Sequence, residues 1–322
     1  MAWPTKEAQE DRRSISHMVP GESSRRSTAS AAYLQRPPEL QDGLNRYCYH
    51  PLAWRLAKRL APLPVTPNMV SVFGACVVVA AGLFYVQPQW PVAALMGLLL
   101  HMGWHVIDGA DGDLARLTGR SSPYGEMIDG LCDYASHVIL YVMLGILLQG
   151  RIGTIAWLPT LAAGVGRIVQ ANYYEVQRRQ YQWWAYGTPW LRQGDGSPPG
   201  HGMLARLGRA YLTLAVRLSP DPRRIERILA DSADEGPARL SYVRMVIRGH
   251  AKRLLPPTPL LGANWRTIML GLSMLAGSPL YYFLYEAVAL NGLLIGSVRR
   301  SKRQVRLLER ELDQERSARI LR

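Results

Sequence analysis

An all-helical integral membrane protein is the fold class this sequence predicts, and three observations predict it. Several runs are almost purely apolar over about the length that crosses a bilayer. Arg and Lys gather between alternate runs, as they do on one side of a membrane. Four aspartates sit at the ends of two neighbouring apolar runs, where a carboxylate needs a cation or a partner. The expected layout is six transmembrane helices preceded by an amphipathic interfacial helix.

The chain has 322 residues and a formal net charge of +14. Its mean hydropathy is near zero, but that average hides two populations, apolar runs and Arg- and Pro-rich stretches, whose contributions cancel. The positive balance asks for an anionic partner, a nucleic acid or an acidic membrane face. The apolar runs favour the membrane, and no basic run interleaved with aromatics resembles a nucleic-acid module. Nucleic acid is therefore excluded as a partner, and membrane lipids are expected. Cys48, Cys76 and Cys132 fit neither a zinc pattern nor a disulfide framework and read as packing residues.

Residues 1–43 are polar, rich in Arg, Ser and Pro, and lack the apolar core of a signal peptide, so they read as a disordered cytoplasmic tail. Residues 44–63 follow as the amphipathic helix: apolar groups recur at helical spacing with Arg55, Lys58 and Arg59 on the other side. Pro62, Pro64 and Pro67 then break the chain. The six spans are expected near 68–86, 90–116, 124–149, 154–174, 264–277 and 279–298, within one domain over 64–298. The last two form one apolar run broken at Gly277-Ser278-Pro279, a short hairpin of helices.

The connections between spans one and two, three and four, and five and six are short and carry only Arg151. The other side holds the amphipathic helix, Arg116, Arg120, a long loop over about 181–259 and the Arg-rich tail 299–322. Both termini are then cytoplasmic, which an even number of spans satisfies. The expected location is a multi-pass inner-membrane protein of a bacterium with its site on the cytoplasmic side. Within the loop, 193–202 is Gly- and Pro-rich and flexible, and 203–218 reads either as a second surface-lying helix or as an ordinary cytoplasmic one. The tail 299–322 reads as a solvated helix with a thin stripe of Val305, Leu308 and Leu312, suited at most to a weak coiled-coil contact.

The chemistry resides in Asp108-Gly-Ala-Asp111-Gly112-Asp113-Leu-Ala115-Arg116 and, eight residues on, Gly125-Glu-Met-Ile-Asp129-Gly-Leu-Cys-Asp133. Asp108 and Asp111 are three apart and share a helix face; Asp129 and Asp133 are four apart on the next helix. The connection is short, so the helices are antiparallel neighbours and the four carboxylates converge. Left alone they would repel. All-oxygen sites suit hard divalent cations, and two ions held by shared carboxylates clamp a phosphate and stabilise the attacking and leaving oxygens. Gly112, Ala115 and Gly125 leave room beside them, and Arg116 is placed to meet a phosphate. An EF-hand loop is excluded because its fifth position falls on Gly112 or Ala115. Single aspartates at helix ends are often only caps; Asp113 points elsewhere on the helix and reads as one of these, or as solvated.

Asp108, Asp111, Gly112, Ala115, Arg116, Gly125, Asp129 and Asp133 match every position of the signature of the CDP-alcohol phosphotransferase family, and the sequence resembles that family there. The resemblance implies that Asp108, Asp111, Asp129 and Asp133 hold two divalent cations, Mg2+ or Mn2+. It implies that Asp133 is also the general base for the acceptor hydroxyl, and that Asn68, Gly112, Ala115, Arg116 and Gly125 bind the CDP group. It further implies a homodimer, a CDP-alcohol donor (CDP-diacylglycerol or a CDP-linked head group), a lipid or polyol-phosphate acceptor, and a place in phospholipid biosynthesis. The acceptor hydroxyl would attack the β-phosphorus and CMP would leave.

Arg167 in the fourth span reads either as a cation for an anionic acceptor or as a snorkelling side chain. Thr118-Gly119 and Ser121-Ser122-Pro123 before Gly125-Glu126 resemble choline and ethanolamine phosphotransferases, whose acceptor is a diacylglycerol. His101, His105 and His137 are expected to be packing or hydrogen-bonded groups. Two other classes compete: a two-metal phosphohydrolase using water, and a divalent-cation transporter. The transporter needs a pathway open to both faces, whereas these acids lie at one end.

Overall fold

The computed structural model describes residues 37–188, 218–255 and 259–320. Most of the expected N-terminal tail, the Gly/Pro-rich stretch 193–202 and nearly all of the expected surface helix 203–218 lie outside those residues. Among the described residues the chain is all helix. Four stretches are long and apolar enough to cross a membrane: Pro67–Tyr85, Val92–Thr118, Tyr124–Tyr186 and Leu280–Ala318. The third is 63 residues long and holds two α-helices joined by a 3-10 turn at Gly153–Ala156, where Gly153 takes φ 72°. The run 264–277 yields a helix of only 13 residues, Ala263–Leu275.

The chain divides into two compact units. The first comprises Met1–Phe73 and Val106–Gly130. Helix α1 (His50–Leu60) follows a π-helical turn at Asn45–Tyr49, whose entry Asp42 caps by accepting the Asn45 N–H at 2.8 Å. Ala53 and Ala57 of α1 are fully buried with Ala110, Leu114 and Val70, while Arg55, Lys58 and Arg59 are exposed. The helix approaches closely because its partner position is Gly109: a Cβ there would lie 3.0 Å from the Ala53 Cβ. The predicted amphipathic helix is present, and its small-residue face is covered by protein.

Helix α2 (Pro67–Tyr85) starts with Pro at its first turn and Thr66 Oγ1 accepting the Met69 N–H. Helix α3 (Val92–Thr118) ends where Gly119 adopts φ 67° and Arg120 N–H returns to the Ala115 carbonyl at 2.9 Å. Helix α4 (Pro123–Ile152) opens on Pro123, with Ser122 Oγ accepting the Gly125 N–H at 3.0 Å. A stop signal and a start signal three residues apart thus make the tight connection that the motif requires.

The second unit comprises Gly74–His105 and Leu131–Arg322. Its core gathers Val78, Ala81, Tyr85, Trp104, Leu140, Leu144, Ala163, Leu270 and Phe283. Outside the core, Leu95, Leu99, Ile146, Leu158, Leu161 and Val165 are exposed, as lipid-facing side chains are. Helix α5 (Trp157–Tyr186) runs twelve residues beyond the expected end at 174 and stops at Gly187, φ 71°. Three helices fold within the long loop expected over about 181–259: α6 (Arg223–Asp234), α7 (Pro237–Gly249) and the single turn α8 (Ala251–Leu254).

Helix α9 (Ala263–Leu275) turns at Gly277, φ 87°, into α10 (Leu280–Leu284), as the Gly-Ser-Pro break predicts. A π-helical turn at Tyr285–Ala289 leads to α11 (Leu290–Ile320), which carries the last apolar segment and the charged tail as one helix. The tail is not a solvated helix. Val305, Leu308 and Leu312 are buried, and Arg316 pairs with Asp231 at 2.6 Å, Arg239 with Glu315 at 2.8 Å, and Arg224 with Asp313. The apolar stripe looked too thin to pack alone; ion pairs from α6 and α7 flank it.

Candidate active site

Of the site residues predicted on α3 and α4, Asp111, Gly112, Ala115, Arg116, Gly125 and Asp129 meet in the first unit. One cleft is lined by Asn68, Asp111, Gly112, Ala115, Arg116, Gly125 and Asp129. Its floor depends on missing side chains. A Cβ on Gly125 would sit 3.2 Å from Ser122 Oγ and 3.5 Å from Asn68 Oδ1, and one on Gly112 would sit 3.4 Å from the Arg116 guanidinium. A methyl group would therefore crowd Ser122 at Gly125 and make only ordinary contact at Gly112.

Charge is arranged around this gap by short contacts. Asp111 is 6 % exposed and its Oδ2 accepts the Ser71 hydroxyl at 2.6 Å. Asp129 lines the same cleft, and the two carboxyl groups repel each other. Arg116 is half exposed toward the cleft and is held by Asp113, whose Oδ1 takes its Nη2 at 2.6 Å. Asp113 is fully buried, which corrects its reading as a solvated or capping residue: three residues before Arg116, it is in register to orient that guanidinium.

Asp108 lies one turn before Asp111 on α3, half-buried, and is not among the residues lining the cleft. Asp133 lies one turn after Asp129 on α4 and belongs to the second unit. There His137 Nδ1 stands 2.8 Å from the Asp133 carbonyl oxygen and 3.2 Å from Asp133 Oδ1. No donor among the described residues reaches that buried oxygen in hydrogen-bond geometry. His137 packs edge-on against Trp104, with His101 beside it, and His105 Nε2 is 2.9 Å from Thr267 Oγ1. The three histidines are packed or hydrogen-bonded groups, as expected.

The donor chemistry fits hard divalent cations. Two carboxyl groups that repel each other need a proton or a cation between them, and the set is all oxygen. Among the described residues no group of three or more His, Cys, Asp or Glu side chains is drawn together as a metal site. Of the four predicted aspartates, Asp111 and Asp129 line the one cleft.

Arg167 is not a snorkelling side chain. Its Nη1 is 3.3 Å from the Tyr282 hydroxyl and its guanidinium stands 6.0 Å from the Tyr141 ring. It borders a polar network that sequence reading missed. Arg266 and Glu286 form an ion pair at 3 % and 0 % side-chain exposure, Tyr282 OH donates to Glu286 Oε1 at 2.8 Å, and Arg266 Nη2 donates to Gln170 Oε1 at 2.9 Å. An Arg and a Glu inside apolar runs were the available signal. Ser71, Arg120 and Ser122, also lining the cleft, were missed too. Ser71 was accessible, since it stands one turn from Asn68.

Residues 64–188 match the family model described as CDP-alcohol phosphatidyltransferase. Among known proteins, the chain is similar to archaetidylinositol phosphate synthase of Pyrococcus horikoshii, 35 % identical over 99 residues, 30 % of this chain and 49 % of that one. It is similar to cholinephosphotransferase 1 of Xenopus laevis, 32 % identical over 112 residues, 32 % of this chain and 27 % of that one. An uncharacterized CDP-alcohol phosphatidyltransferase class-I family protein of Schizosaccharomyces pombe is 30 % identical over 197 residues, 56 % of this chain and 47 % of its own. The chain spans about half the length, or less, of each of these relatives. The matched region contains α2, α3, α4, α5 and the entire cleft. Residues 64–188, which hold the whole cleft, are thus the part of this chain that resembles the CDP-alcohol phosphatidyltransferase family.

Proposed function

We propose that this protein transfers a substituted phosphoryl group from a CDP-alcohol to an acceptor hydroxyl and releases CMP, in phospholipid biosynthesis. The observation that carries the reading is the α2–α3–α4 cleft, in which Asn68, Gly112, Ala115, Arg116 and Gly125 surround a gap beside the carboxyl groups of Asp111 and Asp129. These five residues bind the CDP group. Gly112 and Gly125 make room for it, and Arg116, aimed by Asp113, meets a phosphate oxygen.

Asp108, Asp111, Asp129 and Asp133 would hold two divalent cations, Mg2+ or Mn2+. Bound there, such ions neutralise charge on the diphosphate and its leaving group. Asp133 takes the proton from the acceptor hydroxyl, with His137 Nδ1 3.2 Å from its carboxylate. The acceptor oxygen forms a bond to the β-phosphorus as the bond from that phosphorus to the bridging oxygen breaks, and CMP departs with that electron pair. The residues otherwise contribute position and fixed charge, which phosphoryl transfer chiefly needs. Arg167, whose hydrogen-bond partner is the neutral Tyr282 hydroxyl, offers its charge to an anionic acceptor.

The chain crosses the membrane six times: twice within Tyr124–Tyr186, once through the short helix α9, and once in each of the other three apolar stretches. The cleft faces the cytoplasm, and the protein works as a homodimer. The relatives' names point to different pairings, a synthase of archaetidylinositol phosphate and a cholinephosphotransferase, so both kinds of donor belong in the test. Purified protein with Mg2+ is offered CDP-diacylglycerol, CDP-choline or CDP-inositol-like donors, each with and without candidate acceptors, and CMP is measured. CMP that appears only with an acceptor, and that Asp133→Asn abolishes, supports the transfer. CMP released equally without an acceptor would make the protein a phosphohydrolase.

A further inference from the structure

The second unit carries another cleft, remote in sequence from the transfer motif. It forms between the first turns of α6 and the part of α11 beyond the apolar run. Arg223 and Arg227 are four residues apart on α6, and Lys302 and Arg306 are four apart on α11; with Arg224, these side chains line the cleft. Like charges at that spacing repel along each helix, and here two such pairs share one concavity. Asp221 and Glu309 also line it, leaving five basic groups against two acidic ones. Asp221 Oδ1 is 4.0 Å from Arg223 Nε and accepts the Arg223 N–H at 3.1 Å, and Arg224 pairs with Asp313.

A general excess of basic residues at a membrane face would explain the charge but not the second feature. Ser219 lines the same cleft, is 7 % exposed, and its hydroxyl is buried with no hydrogen-bond partner. A buried donor left unpaired is costly. A hydroxyl, the positive end of a 12-residue helix and an array of cations are the groups that recognise a tetrahedral oxyanion.

We propose that this cleft is a binding site for a phosphate-type oxyanion. Lys302 lies one turn past residue 298, where the apolar run ends, and Arg306 two turns past it. That is headgroup depth, so an acidic lipid phosphate and free phosphate can both supply the chemistry. This inference does not rest on the transfer reaction.

The test uses the full chain in detergent. Retention of phosphatidylglycerol against phosphatidylcholine is read by native mass spectrometry, and thermal unfolding is followed with inorganic phosphate against chloride at matched ionic strength. The cleft variant Arg227→Gln, Lys302→Gln, Arg306→Gln is expected to lose phosphatidylglycerol selectivity about ten-fold. The control Arg299→Gln, Arg303→Gln, Arg310→Gln, exposed positions outside the cleft, is expected to keep it. Ser219→Ala, which leaves the charges in place and removes the unpaired hydroxyl, is expected to weaken retention without loss of unliganded stability, and carries the test if the triple variant does not fold. A response to the lipid alone identifies a headgroup site, and an equal response to inorganic phosphate a free-phosphate site. Equal losses in cleft and control variants, or no difference between wild type and Ser219→Ala together with the cleft variant, overturn the proposal.

Discussion

The Ser71 hydroxyl donates to Asp111 Oδ2 at 2.6 Å, joining α2 to the acidic face of α3. Ser71 stands one turn from Asn68 and lines the same cleft. With the Gly112 N–H donating to Oδ1 at 2.5 Å, both carboxylate oxygens carry a donor and the group is held in one orientation. Ser71→Ala is expected to raise the Mg2+ concentration needed for half-maximal CMP release by roughly ten-fold, the usual cost of losing a partner that orients a metal ligand. An unchanged Mg2+ profile would show that Ser71 does not orient Asp111.

The Gly125 position sets how large a group the cleft can take. Gly125→Ala needs Ser122 and Asn68 to give by only a few tenths of an ångström and is expected to bind the donor with modest loss. Gly125→Leu fills the gap and is expected to weaken binding of CDP by more than about ten-fold while unfolding at the wild-type temperature. Titration calorimetry with CDP checks both; equal affinities would place the nucleotide elsewhere.

Removal of divalent ions with EDTA is expected to stop CMP release, and Mg2+ or Mn2+ to restore it. If the transfer proceeds at full rate in chelator, the repulsion between Asp111 and Asp129 is relieved by a proton rather than a cation.

The Arg266–Glu286 pair is a structural prediction separate from catalysis. Glu286→Ala strands a buried guanidinium and is expected to cost about 3–5 kcal/mol in thermal or denaturant unfolding. The double change Arg266→Met, Glu286→Leu removes both charges and is expected to recover most of that loss. A single variant as stable as the wild type would show that the pair is solvated.

The part of the molecule legible in the sequence is the part fixed by local rules. Gly119 and Ser122-Pro123 mark the stop of α3 and the start of α4 within a few residues, so the antiparallel placement of the two acidic motifs could be read directly. The residues assigned to the nucleotide came from the family resemblance, and Asn68, Gly112, Ala115, Arg116 and Gly125 line one cleft. What could not be read depends on partners far away in the chain. Arg224 with Asp313 and Arg239 with Glu315 link segments 89 and 76 residues apart, and each side looks like solvated charge when met alone. The same holds for α5. Its last turns lost apolar character at Gln177 and Gln180, yet both are buried, and Gln177 accepts the Ser301 hydroxyl at 2.8 Å. Asp113 was misread for the opposite reason: its partner, Arg116, was near, but burial is not visible from spacing.

Helix α11 has no break between its apolar beginning and its charged end, so both ends keep one angular phase. Each inserted residue would turn everything downstream by about 100° and advance it about 1.5 Å. Val305, Leu308 and Leu312 would then swing out of their buried positions, and Lys302 and Arg306 would rotate away from Arg223 and Arg227. The tail is therefore geared to the last apolar segment: its length can vary only at the far end, and any twist of that segment is passed undiminished to the helices beyond it.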